Sequence, residues 1–340
     1  MTNFFRLLGV VAILSTAVGF QSCNDKPKEE ALEEREAAPE LDPELVELNR
    51  EVRRAPNDPA LHHKRALYFM RTKQYDFALA DMRSVFKLDT SNAAYFYTAG
   101  ELFIKVGAFE QADDVLAVAI RKNPALAKAH VKRGELSFYN KQYNNAMKYI
   151  NEGLKVDVNY AAGYFWKGMI YVEQKNMDKA ISSFLTCIEQ DPEYTEAYMQ
   201  LALLQMETQP KLAHQYLSNV LRIDEKHIEA LYARAMLVQE QGYPDSAQTD
   251  YDKILSIEPN HLDATYNTAY VHLLEKRYDQ AIVWFTKVLQ LDSKQMRAMY
   301  NRGLAYELKG DKEAAQKEYR EVLRLEPGFD LALRGLNRLR

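Results

Sequence analysis

Apolar side chains between residues 161 and 194 recur with a helical period, in two runs separated by polar residues. In each run, three residues spaced i, i+4, i+7 share one helix face. These six residues are Tyr164, Gly168, Tyr171, Ala180, Phe184 and Cys187. Polar residues at 174–177 predict a turn between the runs, and Pro192 ends the second helix because proline lacks a backbone N–H. The stretch therefore predicts a helical hairpin.

The same pattern recurs about every 34 residues along most of the chain. Each first helix has a small residue at one position: Ala66, Gly100, Gly134, Gly168, Ala202, Ala235, Ala269 and Gly303. Each second helix has an alanine at one position: Ala78, Ala112, Ala146, Ala180, Ala213, Ala247, Ala281 and Ala315. A large residue follows four places later: Met82, Leu116, Ile150, Phe184, Leu217, Tyr251, Phe285 and Tyr319. Four units also end in a proline: Pro124, Pro192, Pro259 and Pro327. Small residues paired with large ones predict close contact between helices.

This series of small, alanine, large and proline positions resembles the tetratricopeptide repeat. Eight units fit it, at 59–92, 93–126, 127–160, 161–194, 195–227, 228–261, 262–295 and 296–329. The fifth unit is one residue short and has Pro210 in its turn, which leaves the angle between its helices open. The resemblance implies an all-α fold, a right-handed superhelical solenoid of eight helix-turn-helix repeats.

Two further segments flank the repeats as predicted capping helices, at 44–58 and 330–340. Each has three apolar residues on the side that we expect to pack. These residues are Leu45, Leu48 and Val52 at the first end and Leu333, Leu336 and Leu339 at the second. Repeat arrays need such ends because the terminal unit would otherwise expose its apolar face.

The first 22 residues are of a different kind. Arg6 precedes an apolar run at 7–20, which is too short for a permanent membrane span and ends just before Ser22 and Cys23. This order resembles the lipoprotein signal peptide of a Gram-negative bacterium, which implies cleavage after Ser22 and lipidation of Cys23. The alternative is an ordinary secretory signal peptide with an incidental cysteine.

Residues 23–43 have few apolar side chains and predict a disordered acidic tether. Residues 24–58 contain 12 acidic and 6 basic residues, a net charge of −6 against −4 for the whole chain. The repeats are therefore close to neutral. Lys28, Glu29 and Glu30 resemble a short export signal of surface lipoproteins, and the alternative is a solvated charge run.

The sequence lacks the motifs of the common enzyme classes. It has no phosphate-binding glycine loop, no HExxH and no GxSxG, and its seven histidines are scattered. We expect no catalytic residue, metal, cofactor or small-molecule substrate, and we interpret Cys187 as a buried, inert thiol. Near-neutral repeats also argue against a nucleic-acid partner.

The resemblance implies a concave groove lined by the second, fifth, ninth and twelfth places of the first helices. The ninth place, often polar in the family, is apolar in six of the eight units here. The predicted partner-binding residues are Leu67, Tyr97, Phe138, Phe165, Met169, Val172, Met199, Leu203, Met206, Tyr232, Met236, Tyr266, Tyr270, Tyr300 and Leu304. An apolar surface of this length indicates a protein partner with an apolar segment or helix. The alternative is that these side chains bury one another.

Charge along this groove is uneven. The first three units carry Lys64, Arg71, Lys105, Lys128 and Lys132. The next three units carry Glu173, Glu196, Glu207, Glu229 and Glu240. Such a gradient would orient an incoming segment.

These observations favour a membrane-anchored, non-enzymatic scaffold or adaptor for protein partners. The predicted location is the cell envelope, at the outer membrane on its periplasmic face or at the cell surface, in an envelope assembly or secretion complex. Two alternatives remain: a regulator that recruits a cell-wall hydrolase or a protease, and a non-catalytic subunit of an enzyme complex.

Overall fold

A computed structural model describes residues 42–339, and this range is helical with no strand. Its helices are α1 Pro43–Arg54, α2 Pro59–Arg71, α3 Tyr75–Leu88, α4 Ala93–Lys105, α5 Phe109–Lys122, α6 Ala127–Tyr139, α7 Tyr143–Val156, α8 Ala161–Glu173, α9 Met177–Gln190, α10 Thr195–Gln205, α11 Pro210–Ile223, α12 Ile228–Glu240, α13 Pro244–Ile257, α14 Leu262–Leu274, α15 Tyr278–Leu291, α16 Met296–Lys309, α17 Lys312–Leu325 and α18 Asp330–Arg338. None of them has the length and hydropathy needed to cross a bilayer. The predicted signal peptide, Cys23 and nearly all of the tether lie outside the described residues.

The chain divides into two units between Glu47 and Leu48. In the first unit, the described part is the start of α1, where the Asp42 carboxylate accepts a hydrogen bond from the backbone N–H of Glu44 at 2.9 Å and caps the helix. The second unit contains the rest of α1 and every later helix. Leu48 and Val52 of the predicted capping helix are buried there.

From Pro59 onward the helices pack as consecutive hairpins, α2 with α3 through α16 with α17. The predicted all-α array of helix-turn-helix units is confirmed. The stretch 161–194 illustrates the match between pattern and structure. Its two helices are separated by residues 174–176, within the polar stretch that predicts the turn.

The predicted small and large columns meet inside every hairpin. All eight alanines of the second-helix column are inaccessible to solvent, and the large residues four places later are at most 3% exposed. A Cβ built on Gly168 would lie 2.5 Å from a ring carbon of Phe184. Gly134 has the same relation to Ile150, also at 2.5 Å. The small residue therefore sets how closely two helices approach.

The turn inside seven of the eight hairpins uses a left-handed backbone residue at the fifteenth place of the unit, the fifth unit being the exception. Glycine supplies it in three units, at Gly107, Gly242 and Gly310. Lysine supplies it in four others, at Lys73, Lys141, Lys175 and Lys276, with φ between 58° and 59°. Because a Cβ disfavours this conformation, the four lysine turns carry backbone strain that the glycine turns avoid.

The fifth unit absorbs its missing residue by ending its first helix early. Its first helix, α10, has 11 residues, whereas the other first helices have 13 or 14. Pro210 is the first residue of α11, where its missing N–H and fixed φ suit a helix start. The two helices still pack as a hairpin, so the deletion changes the connection and leaves the pair intact.

Arginines at the seventh place of three units connect three consecutive helices. Arg234 of α12 donates two hydrogen bonds to the Asp250 carboxylate of α13, at 2.7 and 2.8 Å, and one to the Ser218 hydroxyl of α11, at 3.2 Å. Arg65 and Arg302 make the equivalent contacts in the first and last units. Each of these arginines therefore ties its own hairpin to the preceding element.

In the C-terminal helix α18 and the residue after it, the predicted Leu336 and Leu339 pack against the core, whereas Leu333 does not. Leu333 is 42% exposed, and the buried positions are Ala332 and Gly335. The reason is steric, because a Cβ on Gly335 would lie 2.5 Å from the Tyr319 ring, so only a small residue fits against it. The predicted packing of Leu333 is wrong.

Candidate partner-binding groove

The first helices of successive units lie side by side and form one continuous face. Three polar contacts join the fifth place of one unit to the sixth place of the next. They are His63 Nε2 with Thr98 Oγ1 at 2.8 Å, the Asn267 amide with the Tyr232 hydroxyl at 3.0 Å, and the Asn301 amide with the Tyr266 hydroxyl at 2.8 Å. We call the surface formed by the second, fifth, ninth, twelfth and thirteenth places of the first helices the groove face.

The ninth place is accessible in every unit. Leu67 and Leu203 are 44% and 43% exposed, although they are large aliphatic residues. The other six ninth-place side chains, Glu101, Glu135, Met169, Met236, Tyr270 and Leu304, are half-buried. Partial exposure means that neighbouring side chains cover this column only in part, so part of its apolar surface remains in water.

Two of the predicted groove residues are packing residues instead. Tyr97 is 7% exposed, its hydroxyl donates to Glu101 at 2.8 Å, and the Lys128 ammonium lies 4.1 Å from its ring centre. Phe165 is 8% exposed and packs against the rings of neighbouring residues: Trp166, Phe184 and Tyr194. The prediction that these two side chains face a partner is wrong, because adjacent helices cover them.

The remaining predicted groove residues keep accessible surface. Besides Leu67 and Leu203, they are half-buried: Phe138, Met169, Val172, Met199, Met206, Tyr232, Met236, Tyr266, Tyr270, Tyr300 and Leu304. Burial raises the pKa of the Tyr232 and Tyr266 hydroxyls, so both phenols are neutral at physiological pH. The groove face therefore offers aliphatic, thioether and neutral aromatic groups.

Basic residues in the first three units are largely engaged within the chain. Lys64 pairs with Glu51 at 2.9 Å, and Lys132 pairs with Glu135 at 2.6 Å. Lys128 lies over the Tyr97 ring, as described above. Burial, and then the charge of Lys128, lower the pKa of His63, which is therefore neutral near pH 7. At the predicted basic end of the groove, the charges of Lys64 and Lys132 are therefore compensated by carboxylates.

The acidic residues of units four to six differ from these basic residues in their exposure and in their ion pairing. Glu173, Glu196, Glu207, Glu229 and Glu240 are all exposed. Glu173 accepts from the Tyr143 hydroxyl at 3.0 Å, and Glu229 lies 3.2 Å from His227 Nδ1. In the described part of the chain, none of the five forms an ion pair with a lysine or an arginine. Among residues 42–339, no lysine or arginine therefore compensates their negative charge.

The sequence analysis missed the thirteenth place as a separate column. Its residues are exposed in every unit and run along the groove face as Arg71, Lys105, Tyr139, Glu173, Glu207, Glu240, Leu274 and Leu308. This column could have been predicted from spacing, because each residue lies four places after a ninth-place residue and, outside the fifth unit, shares its helix face.

Known reactive chemistry is absent from the same region. Within residues 42–339, no three histidine, cysteine, aspartate or glutamate side chains are grouped as a metal site would require. Burial raises the pKa of the Cys187 thiol to about 12, so this cysteine is protonated and shielded. The accessible groups on the groove face suit non-covalent binding.

Comparison with known proteins assigns four of the eight hairpins to a repeat family. Tetratricopeptide-repeat family models match residues 161–194, 232–295 and 296–329. These residues carry tetratricopeptide repeats. Tetratricopeptide-repeat proteins are suited to protein–protein interaction and generally act as non-catalytic scaffolds.

Curated relatives share only part of their length with the chain. Human tetratricopeptide repeat protein 13 is 25% identical over 129 residues, which are 38% of this chain and 15% of that protein. The human mitochondrial import receptor subunit TOM70 is 26% identical over 173 residues, 48% of this chain and 28% of the receptor. The chain thus spans well under a third of either relative.

Solved structures match the fold of the tetratricopeptide array. The C-terminal part of a tetratricopeptide-repeat protein from Cytophaga hutchinsonii aligns with a TM-score of 0.59 at 17% identity, covering 71% of this chain and 99% of that one. PilF of Pseudomonas aeruginosa aligns with a TM-score of 0.50 at 14% identity, covering 64% and 98%. At these identities, the likeness establishes the solenoid fold alone.

Proposed function

We propose that this protein is a non-enzymatic adaptor that binds an apolar peptide segment or helix of a protein partner on its groove face. The observation that carries the proposal is the accessible ninth-place column, above all Leu67 and Leu203. Covering a leucine fully contributes about 1.5 to 3 kcal/mol relative to leaving it in water. A segment that crosses several units would gain this contribution repeatedly.

The adaptor is further proposed to act at a membrane, in an envelope assembly or secretion complex of a Gram-negative bacterium. The signal-like segment that ends at Cys23 supports this location, with lipid on Cys23 as the anchor at the outer membrane. The relation to TOM70, which is named as an import receptor subunit, supports a role in receiving other polypeptides.

Peptide display against the purified protein tests the binding proposal. The variant is Leu203→Glu, and its matched control is Leu291→Glu, which changes a leucine that is 38% exposed on a second helix. We expect selected peptides to bind the wild type and the control and to lose affinity for Leu203→Glu. Both leucines are exposed, so both variants should melt close to the wild type.

Two outcomes would contradict the proposal. Peptides that bind Leu203→Glu as well as the wild type would place the binding surface elsewhere. A large fall in the melting temperature of Leu203→Glu alone would mean that the Leu203 side chain stabilises the fold. The groove face would then be packed against itself at Leu203, and this side chain would not be available to a partner.

A further inference from the structure

Units four to six combine an apolar track with carboxylates at both of its edges. On α10, Glu196, Met199 and Leu203 are spaced i, i+3, i+7 and share one helix face, and Glu207 follows in the turn directly after this helix. On α12, Glu229, Tyr232, Met236 and Glu240 repeat this order, and α8 contributes Met169 and Glu173. The track is therefore bordered by Glu196 and Glu229 at one edge and by Glu173, Glu207 and Glu240 at the other.

These edges differ from the rest of the groove face. In the first three units, Lys64 and Lys132 pair with Glu51 and Glu135, Lys128 lies over the Tyr97 ring, and the thirteenth places carry Arg71, Lys105 and Tyr139. In the last two units, the thirteenth places carry Leu274 and Leu308, and the second places carry Asp263 and Arg297. Among the described residues, only units five and six have exposed glutamates, without a lysine or arginine partner, at both edges beside accessible aliphatic groups, and unit four adds Glu173 at one edge.

A bound metal ion does not fit this arrangement. The carboxylates are distributed along two edges, and no three acidic or metal-binding side chains in residues 42–339 are grouped. The complementary surface on a partner would instead be an apolar strip with positive charges spaced along both of its sides. That pattern belongs to a basic amphipathic polypeptide.

We propose that units four to six bind a basic amphipathic helix of a protein partner. Its aliphatic side chains would cover the track, and its lysine or arginine side chains would reach the glutamates at both edges. This inference rests on the proposed function, since it defines the occupant of the same groove face. Long basic side chains suit the geometry because their aliphatic stems can cover apolar surface while the charged ends extend to the rim.

The methionines of the track indicate how much shape and how much charge contribute to the choice of partner. Four of them line units four to six: Met169, Met199, Met206 and Met236. Methionine is unbranched and polarizable, so it adapts to differently shaped aliphatic side chains. Shape would then select weakly among apolar helices, and the two acidic edges would reject acidic ones. The partner class is set by charge pattern more than by a particular residue sequence.

Two synthetic peptides test this inference against the purified protein by fluorescence polarisation. Both are about 18 residues long, or five helical turns, with the same leucine face. One has lysine and the other glutamate at the flanking positions. We expect the lysine peptide to bind at least about tenfold more tightly, with an affinity that falls as salt is added. A non-amphipathic peptide of the lysine composition should bind weakly.

The matched variants remove three charges each. Glu173→Gln, Glu207→Gln and Glu240→Gln together neutralise one edge, and we expect about a tenfold loss of affinity for the lysine peptide. The control triple changes exposed glutamates away from the groove face: Glu189→Gln, Glu225→Gln and Glu258→Gln. It alters the net charge equally and should bind as the wild type does.

The remaining outcomes separate this inference from the proposed function. Equal binding of the two peptides, both lost in Leu203→Glu, would overturn the basic partner and leave the apolar groove standing. Equal losses in the two triples would show attraction to overall charge and overturn the inference. If neither peptide binds while display-selected peptides still depend on Leu203, the basic helix is overturned alone. If no peptide depends on Leu203, both proposals fail.

Discussion

At the scale of the residue, the lysines in the left-handed turn positions lower the stability of the fold through backbone strain, and the fold tolerates this loss. Lys175 occupies a left-handed position with φ 58°, and the equivalent residue of the sixth unit is Gly242. The left-handed conformation costs an L-residue about 1–2 kcal/mol, while glycine loses about 0.5–1 kcal/mol through its greater freedom in the unfolded chain. The balance favours glycine at this place.

We therefore expect Lys175→Gly to raise the free energy of unfolding by about 0.5–1 kcal/mol, and Gly242→Lys to lower it by a similar amount. Urea unfolding followed by circular dichroism measures both changes. A loss of stability in Lys175→Gly would show that the lysine side chain makes a contact worth more than the strain.

Gly168 illustrates a different case, in which the place accepts only a small residue. Its place is dictated by the Phe184 ring, which a Cβ would approach to 2.5 Å. The sequence indicates this contact, because small residues recur opposite large ones in every unit.

At the scale of the element, the seventh-place arginines Arg65, Arg234 and Arg302 each hold a hairpin to the preceding element. We call each of these arginines, with the side chains that it contacts, an arginine clamp. Arg234 and Asp250 have side chains 20% and 5% exposed, so their ion pair is shielded from water. Their contact with Ser218 adds the preceding helix to the pair. The sequence reading assigned these residues no role, because the pattern of apolar positions does not report buried polar contacts.

Removing one member of this clamp should cost more than removing both. We expect Asp250→Leu to destabilise the protein by about 3–5 kcal/mol, because it leaves the Arg234 guanidinium buried without its counter-charge. The double variant Arg234→Met with Asp250→Leu should recover much of that loss. A double-mutant cycle in urea measures the coupling, and strictly additive effects would mean that the two side chains act independently.

At the scale of the whole molecule, the proposed anchor determines where the groove face is displayed. Acyl chains contribute about 0.8 kcal/mol for each CH₂ that enters a bilayer, so several chains hold a protein firmly. We expect Cys23→Ala to leave the protein uncleaved or to release it from the membrane fraction. Fractionation and mass spectrometry of the N-terminal peptide measure this. Unchanged fractionation, together with no lipid mass on the wild-type peptide, would contradict a lipid anchor at Cys23.

The sequence by itself determined the helical hairpins, their tandem arrangement and the buried columns of the repeat. These properties depend on spacing within one helix or between the two helices of one unit, and such spacing is visible in the chain. Because this pattern of residues recurs in eight units of about 34 residues, a signal that is weak in one unit becomes strong over the array. For this reason the Ala180 and Phe184 columns could be predicted without coordinates.

Only the tertiary structure decided which groove residues remain accessible and which charges remain uncompensated. Tyr97 and Tyr232 occupy the same fifth place, yet Tyr97 is buried and Tyr232 is half-buried. Lys132 is paired with Glu135, whereas Glu207 has no basic partner among the described residues. The physical reason is that exposure and ion pairing at one residue depend on the particular side chains that neighbouring helices and repeats place against it, and periodicity along the chain does not encode those contacts.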